Sequence, residues 1–99
     1  MLTMVAKIKV HAGKEAEFEQ AAREMVAYVK AEEPDTLTYI FNRAAKDSRT
    51  FLFFERYTGP EALDVHEKSP QMAKLLTVAG PILDGAPEIE PYEELESKQ

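Results

Sequence analysis

Ninety-nine residues carry 18 acidic against 12 basic side chains, and the resulting net charge of −6, with no Lys/Arg cluster interleaved with aromatics, argues against a nucleic-acid partner. With 44% hydrophobic and 30% charged residues, wholesale disorder is excluded, and the length suits a single domain with one modest core. Cysteine is absent, so neither disulfides nor thiolate metal sites hold the fold, which suits a reducing compartment.

The first predicted element runs from Leu2 to Val10. Met4, Ala6, Ile8 and Val10 fall on one face and Val5, Lys7 and Lys9 on the other, a half-buried strand pattern. This stretch lacks the basic start and small-residue cleavage site of a signal peptide. The longest apolar run, Leu75 to Leu83, is broken by Gly80–Pro81 and is too short to span a bilayer. The expectation is a cytoplasmic protein with no membrane partner. Ala12–Gly13–Lys14 then turns the chain, and Phe18, Ala22, Met25 and Val29 recur at spacings of three and four, predicting a helix of about five turns. Pro34 stops it by pushing Glu33 out of the helical region.

Leu37, Tyr39 and Phe41 alternate with Thr38, Ile40 and Asn42 in a second strand, and the polar run from Arg43 to Arg49 predicts a hairpin of moderate length. The third strand, Phe51 to Tyr57, places Phe51, Phe53, Glu55 and Tyr57 on one face and Leu52, Phe54 and the Arg56 stem on the other, so both faces need cover. Thr58 and Glu61 have the spacing of a capping box, with Pro60 in the first turn of a helix ending near Lys68. Ser69 caps a further helix with Pro70 in its first turn and a stripe of Met72, Leu75, Leu76 and Ala79, which Gly80–Pro81 ends. Ile89 to Leu95 is a short last strand, placed at an edge by Pro91.

The order of elements predicts an α+β fold: a ferredoxin-like βαββαβ antiparallel sheet with helices on one face, one domain over residues 1–95 and a frayed tail over 96–99. The other face of the sheet is then bare, at roughly 1.5–3 kcal/mol forgone per large side chain left in water. A second copy of the chain would cover it, giving a homodimer whose two sheets close a barrel about a two-fold axis.

For chemistry, the third strand offers the Glu55 carboxylate and the Tyr57 phenol, and the helix after it offers His66 on its apolar face. Should that helix fold back on its strand, the three would line one pocket. A lone histidine there serves equally as a structural residue bonded to a carboxylate, for which Glu55 is suited. Tyr57 serves equally as a core residue with a satisfied hydroxyl. Tyr39 and Asn42 read as fold, and Met25, Met72, Leu75 and Leu76 as core or pocket wall. His11 and His66 lie on different elements without a Cys or acidic cluster, so no metal site is expected. Nucleotide-binding glycine fingerprints, a P-loop and a nucleophile elbow are all missing.

Taken in order, the first strand to Val10, Gly13–Lys14 with Phe18, Glu32–Glu33–Pro34–Asp35–Thr36–Leu37 with Tyr39, Phe51 to Tyr57, Ala62–Leu63 with His66, and Ser69–Pro70 resemble the antibiotic biosynthesis monooxygenase family of dimeric α+β barrels. The resemblance implies a small enzyme of the kind that includes cofactor-free quinol monooxygenases, haem-degrading enzymes and an isomerase of a phosphorylated signalling compound. The haem-degrading branch relies on a tryptophan and a first-strand asparagine. This chain has no Trp and carries Met4 and Ala6 in that strand, which argues against haem. Asp35 replaces the usual glycine after Glu-Glu-Pro, touching only a turn.

What the resemblance implies is a homodimer that oxygenates a quinol or other small aromatic molecule without a bound cofactor. In that reaction a base removes a phenolic proton and the anion reduces dioxygen directly. His66 is the expected base, since an unperturbed imidazole titrates near pH ~6.5. Glu55 would orient it and Tyr57 would bond a substrate oxygen, in a pocket walled by Phe51, Phe53, Met72 and Leu76. Two alternatives remain. One is isomerisation of a small phosphorylated carbonyl compound by proton shuttling between His66 and Glu55, signalled by cations facing the pocket. The other is a dimeric small-molecule-binding module without chemistry.

Overall fold

A computed structural model describes residues 1–98 and places them in the order β1 (Leu2–Lys9), α1 (Glu15–Glu32), β2 (Thr36–Ala44), β3 (Asp47–Tyr57), α2 (Pro60–Glu67), α3 (Pro70–Ala79), a 3₁₀ turn (Gly80–Ile82) and β4 (Glu88–Glu93). The strands form one sheet in the order β2-β3-β1-β4, with every neighbouring pair antiparallel. This is the ferredoxin-like arrangement that the run of elements predicts, with β3 and β1 central and β4, carrying Pro91, at an edge. No helix among the described residues is long and apolar enough to cross a membrane.

Register explains which side chains meet. Ala6 lies opposite Phe53 and Met4 opposite Glu55 on one side of β3, while Phe41 and Tyr39 face the same two residues across the other side. Because faces alternate, all six point toward the helices. The α1 stripe packs there: Phe18, Ala22 and Met25 are fully buried, and the Phe18 ring centre lies 5.0 Å from that of Phe51. Phe41 stacks on both Phe51 and Phe53, at 5.4 and 5.0 Å. This aromatic core pins α1 to the sheet, and α3 packs against α1 at its side.

The helix-free face keeps the sequence's imbalance. Ile40 is 49% exposed, and Leu52 and Phe54 are only half-buried. Beyond β4 the chain reaches this face, where Arg56 Nη2 lies 2.9 and 3.0 Å from the two carboxylate oxygens of Glu94.

Three boundaries differ from expectation. The hairpin between β2 and β3 is tight, with Ala44 paired to Asp47 around Ala45–Lys46. The polar residues after it stay in the strand because Asp47 accepts the Arg49 N–H at 3.0 Å and the Thr50 hydroxyl at 2.7 Å; their polarity marks an exposed strand end, not a loop. At the start of α2, Gly59 is the N-cap and makes no side-chain cap, while Thr58 is drawn away by its N–H bond to the Asp35 carbonyl at 3.1 Å. The expected cap of α3 is present: Ser69 Oγ accepts the Met72 N–H at 3.0 Å. Finally, β4 closes at Glu93 instead of Leu95. In the tail expected to fray, Glu96, Ser97 and Lys98 are exposed and in no helix or strand, and Gln99 lies outside the described residues.

Candidate active site

His66 reaches the interior because α2 turns Ala62 and His66, one turn apart, toward the sheet; the imidazole is 2% exposed. Its Nδ1 lies 2.8 Å from Glu33 Oε1, a residue 33 positions earlier. Glu33 is the C-cap of α1, left there because Pro34 ends the helix. The Thr36 hydroxyl donates to the same Oε1 at 2.9 Å, so the carboxylate is held from two sides. An anionic acceptor at Nδ1 keeps the proton on that nitrogen and leaves Nε2 with a free lone pair. Nε2 is buried and has no hydrogen-bond partner among the described residues.

Glu33, not Glu55, therefore orients the imidazole. Glu55 and Tyr57 are two residues apart on one face of β3, side by side, and the Tyr57 hydroxyl donates to Glu55 Oε1 at 2.5 Å. Burial pushes the Glu55 carboxyl above its ordinary range, against the opposing pull of the Tyr57 hydroxyl and of His66. Burial, with the adjacent Glu55 charge, also raises the Tyr57 phenol.

A cavity of about 120 Å³ lies between the helix-side face of the sheet and α2 and α3. His66, Glu55 and Tyr39 supply polar groups to a wall otherwise made of residues such as Met4, Phe53 and Leu75, and Glu67 also borders it. Phe53, Met72 and Leu76 line it as expected. Phe51 and Tyr57 do not. Phe51 is taken up by Phe18 and by the Arg43 guanidinium, 5.3 Å from its ring centre, and Tyr57 is fully buried beside Met4 and Ala62. A separate, shallow groove of about 890 Å³ runs between α1 and β2, bordered by Arg23, Lys30, Arg43, Phe51 and Tyr39. Among the described residues no three His, Cys, Asp or Glu side chains are grouped to hold a metal ion.

Sequence reasoning missed two residues. Tyr39, read as fold, sets its ring edge-on to His66 at 5.0 Å and lines the cavity, and its hydroxyl makes no hydrogen bond among the described residues. Burial and the charges of Glu55 and Glu33 raise its phenol. Its facing position was legible, since β2 alternation puts it on the Phe41 side. Glu33 carried only its place before a proline, and nothing local announces a partner 33 residues away.

A ferredoxin-like α+β domain with a carboxylate-backed histidine facing a small apolar cavity is the class that fold and site define. The chain belongs to the antibiotic biosynthesis monooxygenase family, whose family model matches residues 1–77. It is similar to a candidate antibiotic biosynthesis monooxygenase from Caulobacter crescentus, at 33% identity and a TM-score of 0.90, covering 96% of this chain and 90% of that one. A candidate from Nitrosomonas europaea, at 16% identity, shares the fold with a TM-score of 0.90 over 97% of this chain and 100% of that one. So does a protein from Mycobacterium tuberculosis, at 19% identity and a TM-score of 0.90 over 99% and 98% of the two chains. Among curated proteins there is no significant match.

Proposed function

We propose that this protein is a cytoplasmic monooxygenase that needs no cofactor and oxygenates a quinol or other small phenol in the His66 cavity. One observation carries the reading: an imidazole that lines the cavity, whose Nδ1 is held by Glu33 and whose Nε2 is buried and unpaired among the described residues. A nitrogen so placed is short of one hydrogen-bond donor, and a phenolic hydroxyl provides it. Nε2 takes the phenolic proton, and the electron-rich anion passes electrons to dioxygen. A carbon–oxygen bond forms at the ring, and the oxygen–oxygen bond breaks as water leaves with the returned proton. One quinol and one dioxygen give one hydroxyquinone and one water, the quinol supplying all the electrons.

Tyr39 takes the part expected of Tyr57. Tyr39 lines the cavity, and its hydroxyl, unpaired among the described residues, can donate to the substrate oxygen as charge develops there. The apolar remainder of the wall keeps the anion from bulk water. The Caulobacter relative's description as a candidate monooxygenase supports the reaction class.

The isomerase alternative is disfavoured by charge: the cavity wall carries Glu55 and Glu67 and no Lys or Arg to hold a phosphate. The working form is a homodimer, which removes Ile40, Leu52 and Phe54 from water.

Oxygen uptake with a panel of quinols tests the proposal. His66→Gln is expected to lower turnover by roughly 10²–10⁴-fold, the usual worth of a general base. Turnover by the native chain that His66→Gln leaves untouched removes His66 as base. No uptake with any quinol, while ring compounds still bind, leaves a binding module.

A further inference from the structure

Deepening the proposed reading of the cavity as a substrate site, we infer that it selects uncharged phenols of a single ring and rejects ring compounds bearing a carboxylate, sulfonate or phosphate. Three features carry this. The first is charge: every ionisable side chain on the wall is acidic or is the imidazole, namely Glu55, Glu67, His66 and the Tyr39 phenol, and no lysine or arginine borders the space. An anion entering would lose its water, meet two carboxylates and gain no counter-charge. The net charge of −6 acts in the same direction from farther away.

The second feature is the kind of hydrogen bond on offer. His66 Nε2 is an acceptor once Nδ1 bonds Glu33, and the Glu55 carboxylate is an acceptor already engaged by Tyr57 through one oxygen. Tyr39 alone can donate. A ligand with hydroxyl donors satisfies this wall, whereas a quinone, with acceptors only, finds a single partner. The site therefore holds the reduced ring better than its oxidised product, and turnover itself loosens the ligand.

The third feature is size. A cavity of about 120 Å³ compares with the ~150 Å³ apolar cavity known to take benzene. Ring walls from Phe18, Tyr39 and Phe53 suit one aromatic ring, and a fused second ring must project past the mouth.

The test is anaerobic binding, followed by protein NMR titration, of hydroquinone, 2,5-dihydroxybenzamide, 2,5-dihydroxybenzoate and benzoquinone. The amide and the carboxylate match in size and differ in charge. The amide is expected to bind at least about tenfold tighter than the carboxylate, and hydroquinone tighter than benzoquinone, tenfold being 1.4 kcal/mol. Glu67→Lys, at an exposed helix end where a cation is tolerated, is expected to narrow the amide–carboxylate gap. Equal or tighter binding of the carboxylate or of benzoquinone by the native chain overturns the inference, as does binding of a two-ring hydroquinone in preference to hydroquinone. Because binding is read without oxygen, selective binding with no oxygen uptake would overturn the monooxygenase reading and leave the selectivity standing.

Discussion

Glu33 and His66, the C-cap of one helix and a last-turn residue of another, meet in a buried hydrogen bond of 2.8 Å that ties α1 to α2. Both side chains are 2–3% exposed, so neither can fall back on water when the other is lost.

Glu33→Ala is expected to destabilise the fold by about 1–3 kcal/mol, because it strands Nδ1 in the interior. Glu33→Gln keeps a carbonyl acceptor for the Nδ1 proton and is expected to cost less. Urea unfolding of both variants measures this, and an Ala variant as stable as the native chain would show that the pair does not brace the helices.

The Glu55 carboxyl, raised by burial, ties stability to pH in a definite direction. Below the ordinary carboxylate value of 4.5, folded and unfolded chains both keep the proton. As pH climbs above that value the unfolded chain releases it first, so stability drains away until the folded carboxyl ionises too. The stability of the native chain relative to Glu55→Gln is therefore expected to be greater at about pH 4.5 than at neutrality, read from thermal melts of both across pH. A difference independent of pH would contradict the raised carboxyl.

Helix capping separates two superficially alike positions. Ser69→Ala is expected to cost about 1 kcal/mol by freeing the Met72 N–H. Thr58→Ala, whose side chain caps nothing, is expected to stay within ~0.5 kcal/mol of the native chain. Denaturant midpoints decide between them, and equal losses would place a cap at Thr58 after all.

On the helix-free face, Phe54→Asp puts a charge amid Leu52 and Ile40. Sedimentation is expected to give twice the chain mass of 11.2 kDa for the native protein and the single mass for the variant. A native chain that sediments as a monomer at micromolar concentration would remove the dimer.

Much of the fold was legible because burial writes a period into the chain. The alternation of Met4, Ala6 and Ile8 and the helical stripe of Phe18, Ala22, Met25 and Val29 both gave the correct buried face. The hairpin was misjudged where polarity at Asp47–Arg49 reflects exposure, which says nothing of whether the backbone pairs. At the site, His66 and Phe53 were found from their own elements, whereas the partner of His66 depends on how two helices dock. Periodicity along one element cannot report that, so Glu55 was chosen for a position that Glu33 holds. Phe51 and Phe53 share a face, yet only Phe53 reaches the cavity; a strand pattern fixes the side and leaves the distance along it open.

Tyr39 borders both the small cavity and the open groove beside α1, so it stands as a party wall between an inner room and an outer porch. The two spaces differ in character: the porch carries Arg23, Lys30 and Arg43 with the Glu19 carboxylate among them, whereas the ionisable groups of the room are two carboxyls, a phenol and an imidazole. Paring that ring down to Tyr39→Gly takes out the party wall at this point, and the room would then acquire a back door framed by three cations and the carboxylate that pairs with two of them.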